Sequence, residues 1–552
     1  VANFRDRFAR TVTSADIAMT YRLLVTDEID PEGIELLRAV PEFQIDVVPT
    51  LPVPELLARI GEYDAIVGRS ATKISEQVLR AGTKLRVVGR AGVGIDNIAM
   101  DVATELGIAV INAPGGNTIA VAELFFGSVI GLLRHIPAAD QSMHSGRWDR
   151  SALMGSELRG RTLGIIGLGR IGTAVAVRAR AFGMTLLAYD PYIADDRFTA
   201  LGVAQAASLD ALLEASDIIT VHTPLNEETR GLIDAAAIAK LRQGAIVCNL
   251  ARGGIVDDAA LRAACESGRL GGAVLDVYTA EPLTGEHAYC ARSEMLLMPH
   301  LGASTVEAQR DVAIDVCAAV RDALLEGELS RSVNIAAGPD DWRAVRPALD
   351  LARNAAAVAR ARLRDAGHRA IEGVTVKVGP DLTPAAGLVL AAAAAGALEG
   401  VVAGDRLNFI NVRNVAAARG VELAITQGGD APHPRAVEVR LRAGGTELRV
   451  GGVAAADAPP RLTRIGAFHV DVAPRGTLIV IGNADVPGVV GRVGTLLGDA
   501  GVNIAEYHQA RLAAGGEALA VISVDGMPDP DVRVRLLAIP EVQWATIVHL
   551  QG

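Results

Sequence analysis

The stretch Thr162-Leu163-Gly164-Ile165-Ile166-Gly167-Leu168-Gly169-Arg170-Ile171-Gly172 decides how the rest of the chain is read. Its first half is an uncharged aliphatic run, the pattern of a strand buried on both faces. Its second half is a G-x-G-x-x-G turn, and TAVAVRARAFG (173–183) continues it as a helix. In such a turn the first two glycines let backbone N–H groups approach a pyrophosphate at the helix N-terminus, and the third lets helix and strand pack closely. A glycine triplet alone is a weak signal in a chain with 58 glycines. The strand before it, the helix after it and the acidic end of the next strand supply the context. That strand, TLLAYDP (185–191), carries Asp190 18 positions after Gly172, where a carboxylate can accept both hydroxyls of a ribose. Dinucleotide binding through Gly167, Gly169, Arg170, Ile171, Gly172 and Asp190 is the expectation. Pro191 and Tyr192 follow Asp190, with no arginine to neutralise a 2′-phosphate, which favours NAD over NADP.

Outward from this motif the text alternates strands and helices. Upstream, YRLLVTD (21–27), DAIVGRS (64–70) and LRVVGRAG (85–92) read as strands, with PEGIELLRAV (31–40) as a helix between them. Downstream, DIITVHTP (217–224), GAIVCNLA (244–251) and GAVLDVY (272–278) repeat the pattern. The fold class is therefore α/β, with two Rossmann-like or flavodoxin-like lobes built on parallel sheets. A helix over 118–134 links the lobes and one over 304–325 returns the chain to the first, which implies a hinge and a cleft. After 334 the text turns to Ala-rich helices and then to β-rich segments, an α+β intervening domain. From 476 the order is β-α-β-β-α-β, the ferredoxin-like arrangement, with Pro487 suited to the first turn of its first helix. The resulting division is 1–18 as an upstream extension before a natural start at Met19, 19–117 with 304–331 as a substrate lobe, 118–303 as the nucleotide domain, 332–473 as the intervening domain and 476–552 as the C-terminal domain.

Composition bounds the function. The 552 residues are half hydrophobic, only 3% aromatic, and carry a net charge of −11, so no basic stripe is available for nucleic acid or an anionic membrane. An anionic substrate would need a local cluster of cations. Cys248, Cys265, Cys290 and Cys317 are far apart, which indicates neither a metal site nor a disulfide framework. The uncharged run 382–398 falls short of the roughly 20 residues of a membrane span and reads as a packed helix. No export signal is visible at the start, and the expected compartment is the cytoplasm.

Three further segments end strands on the ligand side of the nucleotide sheet: Asn249-Leu250-Ala251-Arg252-Gly253-Gly254, Asp276-Val277-Tyr278-Thr279-Ala280-Glu281-Pro282, and Pro299-His300-Leu301-Gly302-Ala303-Ser304-Thr305. Oxidising a 2-hydroxy acid needs a cation for the carboxylate, a base for the hydroxyl proton, and a group that orients and charges that base. Arg252, His300 and Glu281 are the residue types for those tasks. Singly, each also suits a bland role: Arg252 a sheet cap, Glu281 a turn before proline, His300 a satisfied histidine after proline. Together, downstream of a nucleotide motif, they point to chemistry.

With the glycine turn, these motifs resemble the D-isomer-specific 2-hydroxyacid dehydrogenase family over about 21–334. The resemblance implies Arg252 on the substrate carboxylate and carbonyl, His300 as acid/base and Glu281 as its hydrogen-bonding partner. It also implies Asp276 at the nicotinamide end, with Thr223, Leu250, Ala251, Gly302 and Ala303 completing the cofactor contacts. VGRSATK (67–73), GRAGVGIDNI (89–98) and INAPGGNT (111–118) resemble the phosphoglycerate-oxidising branch. That places Arg69 and Arg90 as a phosphate clamp, with Gly92 and Asn112 beside the substrate. It implies 3-phosphoglycerate and 3-phosphohydroxypyruvate as the substrate pair, NAD as cofactor, and the first step of L-serine biosynthesis as the reaction.

Residues 484–493 (ADVPGVVGRV) and Gly501-Val502-Asn503-Ile504 resemble an ACT domain. This implies an amino-acid effector, L-serine, held by Asn483, Asp485 and Asn503 at a domain interface; Asn483 departs from the His or Tyr common at its position. The segment 332–473 resembles the intervening domain of the longer bacterial members, and the family's habits imply a homotetramer. Two other readings stay open. One is a dehydrogenase of another D-2-hydroxy acid (2-hydroxyglutarate, glyoxylate or lactate), separable by activity on unphosphorylated substrates. The other is a non-catalytic NAD-sensing regulator, which intact Arg252, Glu281 and His300 oppose.

Overall fold

A computed structural model describes residues 20–290, 292–335, 342–399, 407–426, 431–456 and 458–550. The expected extension 1–18 and the start at Met19 lie outside the described residues.

The first sheet is built from β1 (Tyr21–Val25), β2 (Phe43–Val47), β3 (Ala65–Gly68), β4 (Val87–Arg90) and β5 (Ala109–Asn112), all parallel, in the order β2-β1-β3-β4-β5. The central strands are buried on both faces, which is why they read as unbroken apolar runs. The turns after β1, β3 and β4 lie together at the carboxyl edge, where open α/β sheets bind ligands.

Helix α1 (Thr118–Leu133) carries the chain to the second sheet. Its strands are β6 (Thr162–Ile166), β7 (Thr185–Tyr189), β8 (Ala204–Gln205), β9 (Ile218–Val221), β10 (Ala245–Asn249), β11 (Leu270–Leu275) and β12 (Met295–Leu297). The parallel order is β12-β11-β10-β9-β6-β7-β8, with its switch point between β6 and β9. Helix α2 (Arg170–Ala181) follows the glycine turn. Helix α3 (Val306–Glu326), capped by Thr305 and ended by a left-handed Gly327, returns to the first sheet. It packs so closely that a Cβ on Gly89 would lie 2.7 Å from Val320 and 2.9 Å from Val316.

The intervening unit pairs α4 (Trp342–Asp365) and α5 (Ala386–Leu398) against a sheet of β13 (Ile371–Val378), β14 (Glu422–Thr426), β15 (Ala436–Ala443), β16 (Thr446–Val453), β17 (Arg461–Ile465) and β18 (Phe468–Val472). The order is β14-β13-β15-β16-β17-β18, parallel at β13–β14 and antiparallel elsewhere. Alanine dominates the helix interface because the backbones nearly touch: a Cβ on Gly396 would sit 2.1 Å from the Arg353 carbonyl oxygen. The apolar run Pro380–Leu398 is mostly buried here. The β17–β18 hairpin was not read from the sequence; Gly466 takes the left-handed turn between the two strands.

The C-terminal unit is β19 (Gly476–Ala484), α6 (Val489–Asp499), β20 (Ile504–Arg511), β21 (Glu517–Val524), α7 (Asp531–Leu537) and β22 (Val542–Leu550), an antiparallel sheet in the order β20-β21-β19-β22.

Two local readings change. Pro487 stands before the helix, because left-handed Gly488 is the N-cap of α6. Residues 332–334, read with the intervening domain, pair instead with β5: Asn334 accepts from Val110 N–H at 3.0 Å and donates to the Ile108 carbonyl at 3.0 Å. The edge strand's open backbone groups take up this segment.

Candidate active site

At the nucleotide end, each glycine of the turn has a distinct environment. Gly167 is left-handed, and a Cβ there would meet the His222 carbonyl oxygen at 2.7 Å, so the turns after β6 and β9 are in contact. A Cβ on Gly172 would lie 2.1 Å from the Gly167 carbonyl oxygen, the close helix–strand approach expected of the third glycine. Around Gly169 nothing lies within 4 Å. That open space faces a groove of about 520 Å³ lined by Leu168, Gly169, Ile193, Ala194, Asp196, Arg197 and Ala200. Asp190 accepts from Leu168 N–H at 2.9 Å and from Tyr192 N–H at 3.0 Å, which binds the acidic turn to the glycine turn. Thr223 keeps a buried hydroxyl with no partner among the described residues. Beside it, His222 holds Thr220 at 2.9 Å, and burial pushes its imidazole down to about 4. These residues fit a bound dinucleotide: an open glycine cradle, an acidic residue at its edge and an unspent hydroxyl.

The catalytic side chains are fixed by backbone. Asn249, buried at the end of β10, accepts from Ala251 N–H at 3.1 Å and donates to the Arg252 carbonyl at 2.8 Å, shaping the turn that carries Leu250, Ala251 and Arg252. His300 Nδ1 lies 2.7 Å from Glu281 Oε2, and the other Glu281 oxygen accepts from Tyr278 N–H at 2.9 Å. The Tyr278 hydroxyl donates to the Met298 carbonyl at 3.0 Å, two residues before His300. Asp276 is fully buried and accepts from the N–H groups of Leu301 (2.7 Å) and Gly302 (2.8 Å). Burial raises its carboxyl above the usual range, opposed by those two amides. Each Asp276 oxygen thus holds the turn that carries His300, Gly302 and Ala303 by one hydrogen bond, and His300 itself has a left-handed φ of 58°.

The substrate lobe faces these groups across a cleft of about 650 Å³, lined on one side by Arg69, Ser70, Arg90 and Gly92 and on the other by Tyr278, Glu281, His287 and His300. Arg90 lies over Gly92, where a side chain would collide with its guanidinium, and its Nε is shut off from solvent without a partner among the described residues. Burial, then the positive charges of Arg252 and Arg69, pull Arg90 down to about 10. Three guanidiniums gathered closely enough to depress Arg90 form a site that gains from an anion. Arg252 crosses from the nucleotide lobe to reach Asp96 at 3.0 Å. Asn112 donates to the Val93 carbonyl at 2.5 Å and supports the loop that carries Gly92.

Asp27, Asp96, Asn97, Asn249, Tyr278 and His287 also hold or line the site, and the sequence alone assigned none of them a role. Asp27 and Asn249 each stand at a strand's carboxyl end, a positional signal that could have drawn attention to them; the partners of the others are visible only in three dimensions.

In the C-terminal unit Asn483 is buried and donates to the Ala484 carbonyl at 2.8 Å. Asp485 accepts from Gly515 N–H at 3.0 Å, at the β20–β21 turn, whereas Asn503 donates to Asp525 at 2.7 Å, at the opposite end of β20. One chain therefore does not bring Asp485 and Asn503 together; at about 3.3 Å per residue the strand between them spans roughly 25 Å.

Residues 126–302 match the model of the D-isomer specific 2-hydroxyacid dehydrogenase NAD binding domain, and residues 477–541 match the ACT domain. Among curated relatives, a D-3-phosphoglycerate dehydrogenase from Synechocystis sp. is 39% identical over 519 residues, covering 92% of this chain and 91% of the relative. One of the same name from Archaeoglobus fulgidus is 36% identical, covering 96% of this chain and 100% of the relative. Among solved structures, a glyoxylate reductase from Paecilomyes thermophila aligns with a TM-score of 0.53 and 30% identity, over 57% of this chain and 98% of that one. A protein of Thermus thermophilus aligns with a TM-score of 0.52 and 32% identity, over 56% of this chain and 99% of that one. The chain belongs to the D-isomer-specific 2-hydroxyacid dehydrogenase family and, within it, to the D-3-phosphoglycerate dehydrogenases.

Proposed function

We propose that the chain oxidises D-3-phosphoglycerate to 3-phosphohydroxypyruvate with NAD, the first step of L-serine biosynthesis, in the cytoplasm. The observation that carries this is the cleft itself, with a His300–Glu281 pair on one wall and Arg69 and Arg90 on the other. Glu281 occupies Nδ1 of His300, which leaves Nε2 to take the proton of the substrate C2 hydroxyl, and the carboxylate balances the imidazolium that results. Arg252 binds the substrate carboxylate and stabilises the oxygen as charge develops on it. Arg69 and Arg90 receive the phosphate, and Gly92 and Asn112 shape the wall beside it. NAD, held by residues 167–172, Asp190, Thr223, Leu250, Ala251, Gly302 and Ala303, supplies the hydride acceptor when bound. Closure of the lobes excludes water from the site.

The test is a panel of 2-keto acids read by NADH oxidation. Phosphohydroxypyruvate should exceed hydroxypyruvate, glyoxylate, pyruvate and 2-oxoglutarate in kcat/KM by about two orders of magnitude, the scale of the roughly 3 kcal/mol lost when buried donors are left without their phosphate. A preference for an unphosphorylated acid would move the assignment to another member of the family, and no turnover with any of them would leave only a sensor.

We further infer a homotetramer with L-serine as effector. Ile136, Met143, Trp148 and Met154 are each more than half exposed, large apolar side chains within the nucleotide lobe that pairing of lobes would cover. Since Asp485 and Asn503 occupy opposite ends of one C-terminal sheet, with Asn483 buried near the first, a shared serine site requires two copies. Serine titration of the wild type, Asn503→Ala and a chain ending near Ala473 tests this; inhibition that survives the truncation defeats it.

A further inference from the structure

Asp27 follows β1 in a left-handed conformation (φ 64°), and Glu28 comes next at φ 52°, a pair that L residues adopt only where the surroundings hold them. Asp27 is 5% exposed and its carboxylate takes four hydrogen bonds: Oδ1 from the hydroxyls of Thr50 (2.7 Å) and Thr72 (2.6 Å), Oδ2 from the backbone N–H groups of Arg69 (2.8 Å) and Thr72 (2.9 Å). A carboxylate has about four acceptor positions, so all are used. From the other side the Asn97 amide donates to the carbonyls of Arg69 (3.0 Å) and Thr72 (2.7 Å). Residues 69 and 72 therefore have both backbone polar groups fixed by side chains from two other loops. Between them Ser70 and Ala71 line the cleft, and Arg69 reaches it from the first fixed residue. Asn97 follows Arg90 and Gly92 on the next turn, so the bracket also ties the two arginine-bearing loops to each other.

We propose that Asp27 is a positioning residue that sets selectivity for a phosphorylated substrate, by holding residues 69–72 so that Arg69 faces the cleft. The proposal rests on the phosphate-clamp reading of Arg69 and Arg90. An amide at 27 can keep the Arg69 and Thr72 N–H groups on its oxygen only by donating to the Thr50 and Thr72 hydroxyls, which must turn round to accept, and it replaces four charge-assisted hydrogen bonds with weaker neutral ones. A purely structural carboxylate would serve every substrate alike, whereas a positioning one changes the ratio between substrates that differ only in the phosphate.

The experiment measures kcat/KM for 3-phosphohydroxypyruvate and for hydroxypyruvate in the full chain and in Asp27→Asn, Thr72→Val and Arg69→Ala, with thermal unfolding alongside. Asp27→Asn should lower the phosphorylated-to-unphosphorylated ratio by about tenfold, mainly through KM. Thr72→Val, which removes one hydrogen bond to Asp27 and keeps the backbone contact, should shift the ratio in the same sense by less, and decides the matter alone if Asp27→Asn does not fold. Equal losses on both substrates, or no change in the ratio, overturn the proposal. If Arg69→Ala lowers the ratio and the other two do not, the clamp stands and only the positioning role falls. If Arg69→Ala leaves the ratio unchanged, the clamp reading falls and this inference with it.

Discussion

Nε of Arg252, on the turn after β10, lies 3.0 Å from Oδ2 of Asp96, on the loop after β4, so a charged contact joins the two lobes beside the cleft. The Asp96 side chain is 65% exposed, and pairs of that kind contribute about 0–1 kcal/mol to stability. Its effect should be kinetic. Asp96→Asn should leave the unfolding midpoint nearly unchanged while kcat/KM falls about tenfold, because Arg252 loses the partner that orients it. Asp96→Glu should recover part of the loss, and a variant with wild-type kinetics would show that the pair does not orient Arg252.

His300→Asn should lower kcat by about two to four orders of magnitude, the range for removing a positioned acid/base, with KM little changed. Glu281→Gln keeps a hydrogen-bonding group but removes the charge, and should cost about one to two orders in the same parameter. Single-turnover NADH oxidation measures both. Near-wild-type rates in His300→Asn would take the histidine out of the chemistry.

His222, half-buried with its Nδ1 shut off from solvent, makes a prediction about acid. Its imidazole stands at about 4 in the folded chain against 6.5 when free, so between those values the folded state stays neutral while the unfolded state takes a proton. Falling pH therefore favours unfolding across that window, by about 2 kcal/mol at pH 5. His222→Gln should flatten the loss of stability between pH 7 and pH 5 by that amount in denaturant titrations. An unchanged slope would show that other groups govern acid unfolding.

Asp190 gives a prediction about the cofactor. Its carboxylate already anchors Leu168 N–H and would repel a 2′-phosphate. Asp190→Ser should lower kcat/KM with NAD by about tenfold, through loss of the ribose contacts, and raise it with NADP. Unchanged discrimination would place selectivity elsewhere in the groove around residues 193–200.

The parts of this protein whose physics is local were legible in the residues alone. Parallel strands buried on both faces read as apolar runs, and the glycine turn was legible because Gly167 and Gly172 meet within a single short turn. Motifs at strand ends were legible for the same reason: the carboxyl edge of a parallel sheet gathers them wherever they fall along the chain. Tertiary structure decided which side chains hold the motif residues in place. Asp27 meets Arg69 across 42 positions and Arg252 meets Asp96 across 156, separations that no periodicity records. It also separated Asp485 from Asn503, close in sequence but at opposite ends of β20, since an extended strand carries its two ends apart. A hydrogen bond depends on distance in space, and only the packing of the sheets and the return of α3 to the first lobe sets that distance.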